Sequence, residues 1–326
     1  MRVGPATGGH PEARPPGRPF GPGSVSFRVY PHNELAAEAL VAELCDQAAL
    51  ALAAGFDGVM TSEHHGGFPG YLPNPLQAAG FILAVHPDGW VAPCPLLLPL
   101  RPTALVAEEA AWLAARYPGR VGLGVAAGAL ALDFSVMGLD PAGAGPRFAA
   151  ALPDLVDLLS GRRLGELAGD PALRRCAGDP VPVLSAAASV TAARRAAGCG
   201  AGILLEGLSE PARLAPLCAA HAEAGGTGSR VLIRRAWLGR PDPDLITGQR
   251  RVYAGYTPGA LPPDQTVAAG DPDELAARLA GALAATGADA LNLRVHLPGM
   301  APAVVRHQIE ALGLEVVPRL RKLLAG

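Results

Sequence analysis

Lysine is almost missing from this 326-residue chain: Lys322 is the only one, and arginine supplies the rest of the Lys+Arg total of 27. Alanine is in large excess, so both features carry the signature of GC-rich codon usage, and arginine alone is no phosphate-binding signal. Charge of either sign is scarce, at 17% of residues against about 25% in ordinary domains. The formal net charge of -2 leaves no electrostatic case for nucleic acid or an anionic membrane. The five cysteines (Cys45, Cys94, Cys176, Cys199, Cys218) form no CxxC. Their odd number argues against a disulfide framework and makes a reducing, cytoplasmic setting the expectation. HExxH is lacking and no His/Cys cluster replaces it, so no metal site is expected. No apolar stretch reaches ~18 residues without Gly, Pro or a charge, which excludes a membrane helix. Residues 1–23 are rich in Pro, Gly and Arg without an apolar h-region, so they are not a signal peptide. They are expected to form a flexible tail ahead of one domain over 24–326.

Apolar residues are abundant, at 50% of the chain, and at this length roughly three quarters of the unfolded surface can be buried. Strand-like runs over 25–30, 58–62, 91–100, 121–125, 181–186, 202–206, 230–238 and 290–295 alternate with helical segments. The latter cover 34–54, 102–117, 189–198, 211–224, 273–286 and 302–324, with a further helix opened by Asn74-Pro75, a good N-cap followed by a proline suited to the first helical position. Continuous apolar strands separated by helices predict a parallel sheet covered on both faces. Its natural closure is an α/β (β/α)8 TIM barrel, with a doubly wound sheet as the alternative. Two stretches break the rhythm, 161–179 and 240–270. They are expected to be insertions after strands 4 and 7, at the rim where specificity loops sit.

Glu63-His64-His65 directly follows strand two, and in a barrel that is the active-site rim. A histidine there can exchange protons near neutral pH; otherwise the pair are surface loop histidines. Ser189-Val190-Thr191 opens the helix after strand five, where exposed N–H groups and two hydroxyls can cradle an anion, or Ser189 is a plain N-cap. Gly122, Gly124 and Gly128 at strand four would let a flat ring approach the backbone.

In order along the chain stand Ala54-Gly-Phe-Asp57, Ser62-Glu-His-His65, Asn74-Pro75, Leu98-Pro-Leu-Arg-Pro102 and Gly119-Arg-Val-Gly-Leu-Gly124. Asp133-Phe134 with Met137-Gly138, Val181-Pro-Val183 with Ser189, and Glu315-Val-Val-Pro318 complete the series. Together they resemble the bacterial luciferase-like, flavin-dependent monooxygenase family over residues 25 to 322. The resemblance implies a (β/α)8 barrel holding FMN, or alternatively a deazaflavin, at the C-terminal ends of the strands. It implies reduced FMN supplied by a separate flavin reductase, and oxygenation of a small organic substrate through a C4a-(hydro)peroxyflavin. His64 then supports that chemistry, with Glu63 and His65 beside it. Ser189, Thr191 and Arg147, an arginine just before a helix, reach the flavin phosphate. Ala129 offers an N–H near flavin N5, and Cys94-Pro95, expected to be a cis peptide, forms a strand-three bulge against the ring. The family's phosphate-binding arginine after strand four is replaced by Ala127, and a carboxylate before Ser189 by Ala188. Deazaflavin-dependent hydride transfer and a non-catalytic flavin-binding or partner subunit are the alternative readings. Family members also pair through the helices after strands two and three, so a homodimer is expected.

Overall fold

The computed structural model describes residues 17–254 and 263–325. β1 (Val25–Arg28), α1 (Ala37–Ala53), β2 (Gly58–Thr61), α2 (Pro75–Val85) and β3 (Trp90–Pro93) open the chain. β4 (Leu96–Leu97) continues strand three beyond a break, and α3 (Thr103–Arg116), β5 (Leu123–Ala126), α4 (Ala131–Ser135), α5 (Ala144–Leu159) and α6 (Pro171–Arg175) follow. The second half runs β6 (Val183–Ala186), α7 (Val190–Cys199), β7 (Gly202–Leu205), α8 (Pro211–Glu223), β8 (Arg230–Leu238) and α9 (Pro243–Ala254). It ends with β9 (Val267–Ala269), α10 (Pro272–Thr286), β10 (Ala290–Arg294), α11 (Pro302–Ala311) and α12 (Val317–Ala325).

The strands lie in the order β3-β2-β1-β10-β8-β7-β6-β5-β4, all pairs parallel. Val91 bridges Val121, through Gly122 N donating to Val91 O and Val91 N to Arg120 O, and this joins β3 to the start of β5. The expected barrel is thereby closed. Two cores follow from the period-2 alternation of strand side chains. Val25, Phe27, Val59, Val91, Leu123, Val125, Leu291 and Leu293 face the helices. Met60, Trp90, Ala92, Cys94, Leu184, Leu204, Val231, Ile233 and Ala290 fill the interior. The helices match this with small residues: α3 buries Val106, Ala107, Ala110, Ala111 and Ala114, a 3–4 spacing that brings it close to the sheet.

Four expectations change. Residues 17–23 of the expected tail are packed, with Phe20 1% exposed and edge-on to Trp90 at the bottom of the barrel. Residues 1–16 lie outside the described part. The stretch 161–179 follows helix α5 rather than a strand. It lies at the N-terminal end of the barrel, where Arg162 donates to the Cys199 carbonyl at the end of α7 and Asp170 accepts from Trp112. It is therefore no rim loop. The insertion after β5 is instead 127–143, containing α4. Helix α5 was hidden in the sequence by a helical pattern broken with Pro146 and Pro153. The last helix is not continuous: a π-turn, Leu312–Val316, divides it where Gly313 meets Ala54. The 240–270 stretch does follow strand seven, and β9 pairs there with the end of β8; residues 255–262 lie outside the described part.

Candidate functional site

A cavity of about 350 Å³ opens at the C-terminal ends of the strands. One wall is made of Ala126, Ala127, Gly128, Ala129, Ala186, Ala187 and Ala188, at the ends of β5 and β6. None of these carries an atom beyond Cβ, so no side chain projects from this wall. Gly128 has φ +84°, and a Cβ there would stand 2.9 Å from the Phe134 ring, so only glycine passes here without strain. The opposite wall holds Arg28, Tyr30, Tyr71 and Arg294, with Ser62, Glu63, His64, Pro95 and Leu97 between.

The Glu63-His64-His65 triplet divides. His64 lines the cavity, and its Nδ1 lies 2.7 Å from Asp133 Oδ2, a carboxylate with no exposure. An ionised carboxylate only accepts, so Nδ1 carries a proton, and in the neutral ring Nε2 is then the acceptor. Asp133 Oδ1 also takes the His65 N–H at 2.8 Å, which locks the loop after β2 to α4. The rings of Tyr71 and Phe68 pack on His64 at 4.5 and 4.8 Å. His65 turns away from the cavity and donates to Glu63 Oε1 at 2.7 Å. Glu63 accepts further from Leu97 N at 2.6 Å and from both nitrogens of the Arg101 fork, at 3.0 and 2.7 Å. Glu63 is thus a brace between β2 and β4, and His65 is part of that brace.

The cofactor-binding candidates are only partly brought together. Pro95, Ala127 and Ala129 line the cavity. The Cys94–Pro95 peptide is cis, as expected. Cys94 itself points into the barrel interior, where burial pushes its thiol up to about 12. Gly122 and Gly124, expected to admit a ring, instead make room for neighbours: a Cβ at Gly122 would meet Phe20 at 2.7 Å and one at Gly124 would meet Cys94 Sγ at 2.1 Å. Ser189 caps α7, its Oγ accepting from Ala192 N at 3.2 Å. Neither Ser189 nor Thr191 is among the cavity's lining residues. Arg147 lies in the first turn of α5 rather than before a helix, and its guanidinium donates to the Asp140 carbonyl at 2.7 Å. The cavity lining holds no arginine on the alanine side.

Asp133, Arg28, Tyr30, Tyr71 and Arg294 were not singled out from the sequence as site residues. Asp133 stands in the Asp133-Phe134 motif, but nothing local ties it to its partner His64, 69 residues away. For Arg28 and Arg294 a signal does exist: an arginine inside an otherwise apolar strand is rare without a task. Among the described residues no cluster of three or more His, Cys, Asp or Glu could hold a metal ion, and no helix is long and apolar enough to cross a membrane.

The family profile described as luciferase-like monooxygenase matches residues 25–237. Comparison with curated proteins gives no match. Among solved structures, monooxygenase RslO1 from Streptomyces bottropensis superposes with a TM-score of 0.74 at 20% identity, covering 90% of this chain and 99% of its own. The oxygenating constituent of 3,6-diketocamphane monooxygenase from Pseudomonas putida, in complex with FMN, gives 0.70 at 18%, covering 91% and 98%. An F420-dependent secondary alcohol dehydrogenase, bound to an F420-acetone adduct, also gives 0.70, at 19%, covering 91% and 98%. At these identities the shared property is the fold.

Proposed function

The chain belongs to the luciferase-like monooxygenase family, and on that premise we propose that it is a flavin-dependent monooxygenase that uses reduced FMN and O2 to oxygenate a small organic substrate. The observation that carries this reading is the His64–Asp133 pair set in a cavity with one wall of alanines and a glycine. The residues fit the ring part of a flavin: Ala126 to Ala129, Ala186 to Ala188 and Pro95 line the cavity and would hold it. The phosphate end would rest on the first turn of α7, with Ser189 and Thr191 but no arginine on the alanine side of the cavity to neutralise it. When bound, reduced flavin would supply the two electrons that activate O2, and O2 the oxygen atom transferred.

The chain's own part is positioning, exclusion of water and one proton. Asp133 holds the imidazole in the tautomer whose Nε2 accepts, so His64 can take a proton and return it. Tyr71 and Phe68 cover the ring and limit access of water. The Glu63–Arg101–His65 brace keeps the loop from drifting; a misplacement of ~1 Å is worth about 100-fold in rate. The partners in this reading are a separate flavin reductase and a second copy of the chain. Phe81, Val85, Leu105 and Trp112 are exposed on α2 and α3, which supports pairing through those helices; light scattering that finds only monomer at all concentrations counts against it.

The test is oxygen uptake with NADH, a flavin reductase and FMN, run beside reduced F420. Flavin-dependent, reductase-dependent oxygen uptake coupled to product supports the proposal. Hydride transfer with F420 and no oxygen uptake supports the deazaflavin reading. Flavin binding without either reaction supports a non-catalytic partner subunit, the reading to which Ala127 and Ala188 lend weight.

A further inference from the structure

The barrel concentrates buried positive charge on one side of its mouth. β1 pairs with β10, Ser26 opposite Asn292, and β10 pairs with β8, Arg294 opposite Arg235. Val25, Phe27 and Val29 belong to the core between strands and helices, as do Leu291, Leu293 and Val295. Alternation therefore turns Arg28 and Arg294 toward the barrel axis. Arg28 is 2% exposed and Arg294 7%, yet both line the cavity.

A guanidinium cannot shed its proton here, and buried arginines ordinarily sit with a carboxylate. These two have no carboxylate partner among the described residues. Arg28 donates to Asn292 Oδ1 at 2.7 Å, to Ser62 Oγ and to the Cys94 carbonyl. Arg294 donates to the Tyr253 hydroxyl at 2.8 Å and reaches the Tyr30 hydroxyl at 3.4 Å, while its buried Nε has no partner among the described residues. Burial opposes the charge on Arg294, but attraction to the Tyr253, Tyr30 and Tyr71 oxygens outweighs it, and the same attraction, with Arg235, pushes the Tyr253 phenol down to about 8. The acids of the site are committed elsewhere, Glu63 to Arg101 and His65, Asp133 to His64. Asp264 lines the outer groove that Arg294 shares, and there it caps Thr266 N. Residues 255–262 contain no Asp or Glu.

Two cations stripped of water and given no carboxylate, with a weakly acidic phenol beside one of them, gain favourable electrostatics when an anion arrives. We propose that the cavity recognises a substrate bearing an ionised oxygen, such as a carboxylate, enolate or phenolate, which docks on Arg294 and Arg28 while its apolar remainder faces the alanine wall. Tyr30 and Tyr253 are positioning residues that hold the Arg294 fork. This rests on the cavity being the substrate site of the oxygenase proposed above. The same oxyanion chemistry could come from the pyrimidine edge of the reduced flavin, so the test separates the two sources.

The experiment is calorimetric titration of flavin-free protein with a panel of aromatic and aliphatic carboxylates and phenolates, each beside its neutral amide or methyl ether. A separate anaerobic titration uses reduced riboflavin alone. At least one anion is expected to bind roughly tenfold or more tighter than its neutral counterpart. That preference is expected to vanish in Arg294→Gln and to persist, weakened, in Arg294→Lys, while reduced riboflavin binds all three proteins within about threefold. Equal binding of anions and neutral counterparts, or binding of neither, would overturn the proposal. So would loss of reduced-riboflavin binding in Arg294→Gln, which would assign the cation to the cofactor. If Arg294→Gln does not fold, the wild-type comparison and the Lys variant decide. The anion titration involves no turnover, so its failure is distinct from failure of the oxygenase assay.

Discussion

Replacing Asp133 by Asn changes one atom in a fully buried position and inverts the proton logic of the site. Asp133 Oδ1 accepts from His65 N at 2.8 Å and Oδ2 from His64 Nδ1 at 2.7 Å. An asparagine that keeps the first bond must present its NH2 to His64, which forces the imidazole proton onto Nε2. The histidine then offers a donor to the cavity where the wild type offers an acceptor. Two charge-assisted hydrogen bonds become neutral ones, a weakening on the order of 1 kcal/mol each. Loss of the buried charge offsets part of this, so the change in stability is expected to stay under ~2 kcal/mol. Proton transfer by a positioned side chain contributes about 10²–10⁴-fold, so Asp133→Asn is expected to lower coupled oxygenation by that order while flavin binding changes little. The assay is product formed per NADH consumed, alongside imidazole ¹⁵N shifts of His64, which report the tautomer without any turnover. An unchanged tautomer would refute the geometric argument. A changed tautomer with unchanged turnover would remove His64 from the proton path.

Burial, with His32 and Arg235 close by, pushes His296 down to about 3 from its ordinary 6.5. Between those values the unfolded chain binds a proton that the folded chain refuses. Stability is therefore full above pH ~6.5 and falls toward pH 3 by ~5 kcal/mol at the limit, an order-of-magnitude figure. His296→Phe is expected to flatten this acid limb in denaturant titrations across pH, and an unaltered slope would contradict the assignment. Gly124→Ala is expected to cost about 1–3 kcal/mol by overpacking, because the new Cβ would meet Cys94 Sγ at 2.1 Å. Gly145→Ala, with nothing within 4 Å, is the control and should leave the melting temperature equal or higher; equal losses would show that the clash is not the cause. With no arginine on the alanine wall, FMN is expected to bind within about tenfold of riboflavin, and Ser189→Ala to narrow that gap further. A hundredfold preference for FMN would show that a cation, Arg147 foremost, is recruited to the phosphate.

The alternation of apolar runs and helices was enough to determine the barrel. A parallel strand buried on both faces must be continuously apolar, and that signal is local; Asn74-Pro75, capping Gln77 N, shows the same locality at a helix start. The motif after strand two placed His64 at the rim for the same reason, since a barrel puts every strand's end there. Tertiary structure alone decided the division of labour within Glu63-His64-His65, because Asp133, Leu97 and Arg101 reach it from other strand ends. It also decided that Gly122 and Gly124 admit Phe20 and Cys94 rather than a ring, that 161–179 lies at the far end of the barrel, and that Arg28 and Arg294 share one cavity. Each of these depends on which strands are neighbours and which face a side chain takes. Closure of the sheet sets those relations between residues far apart in the chain, and no short-range pattern in the sequence encodes them.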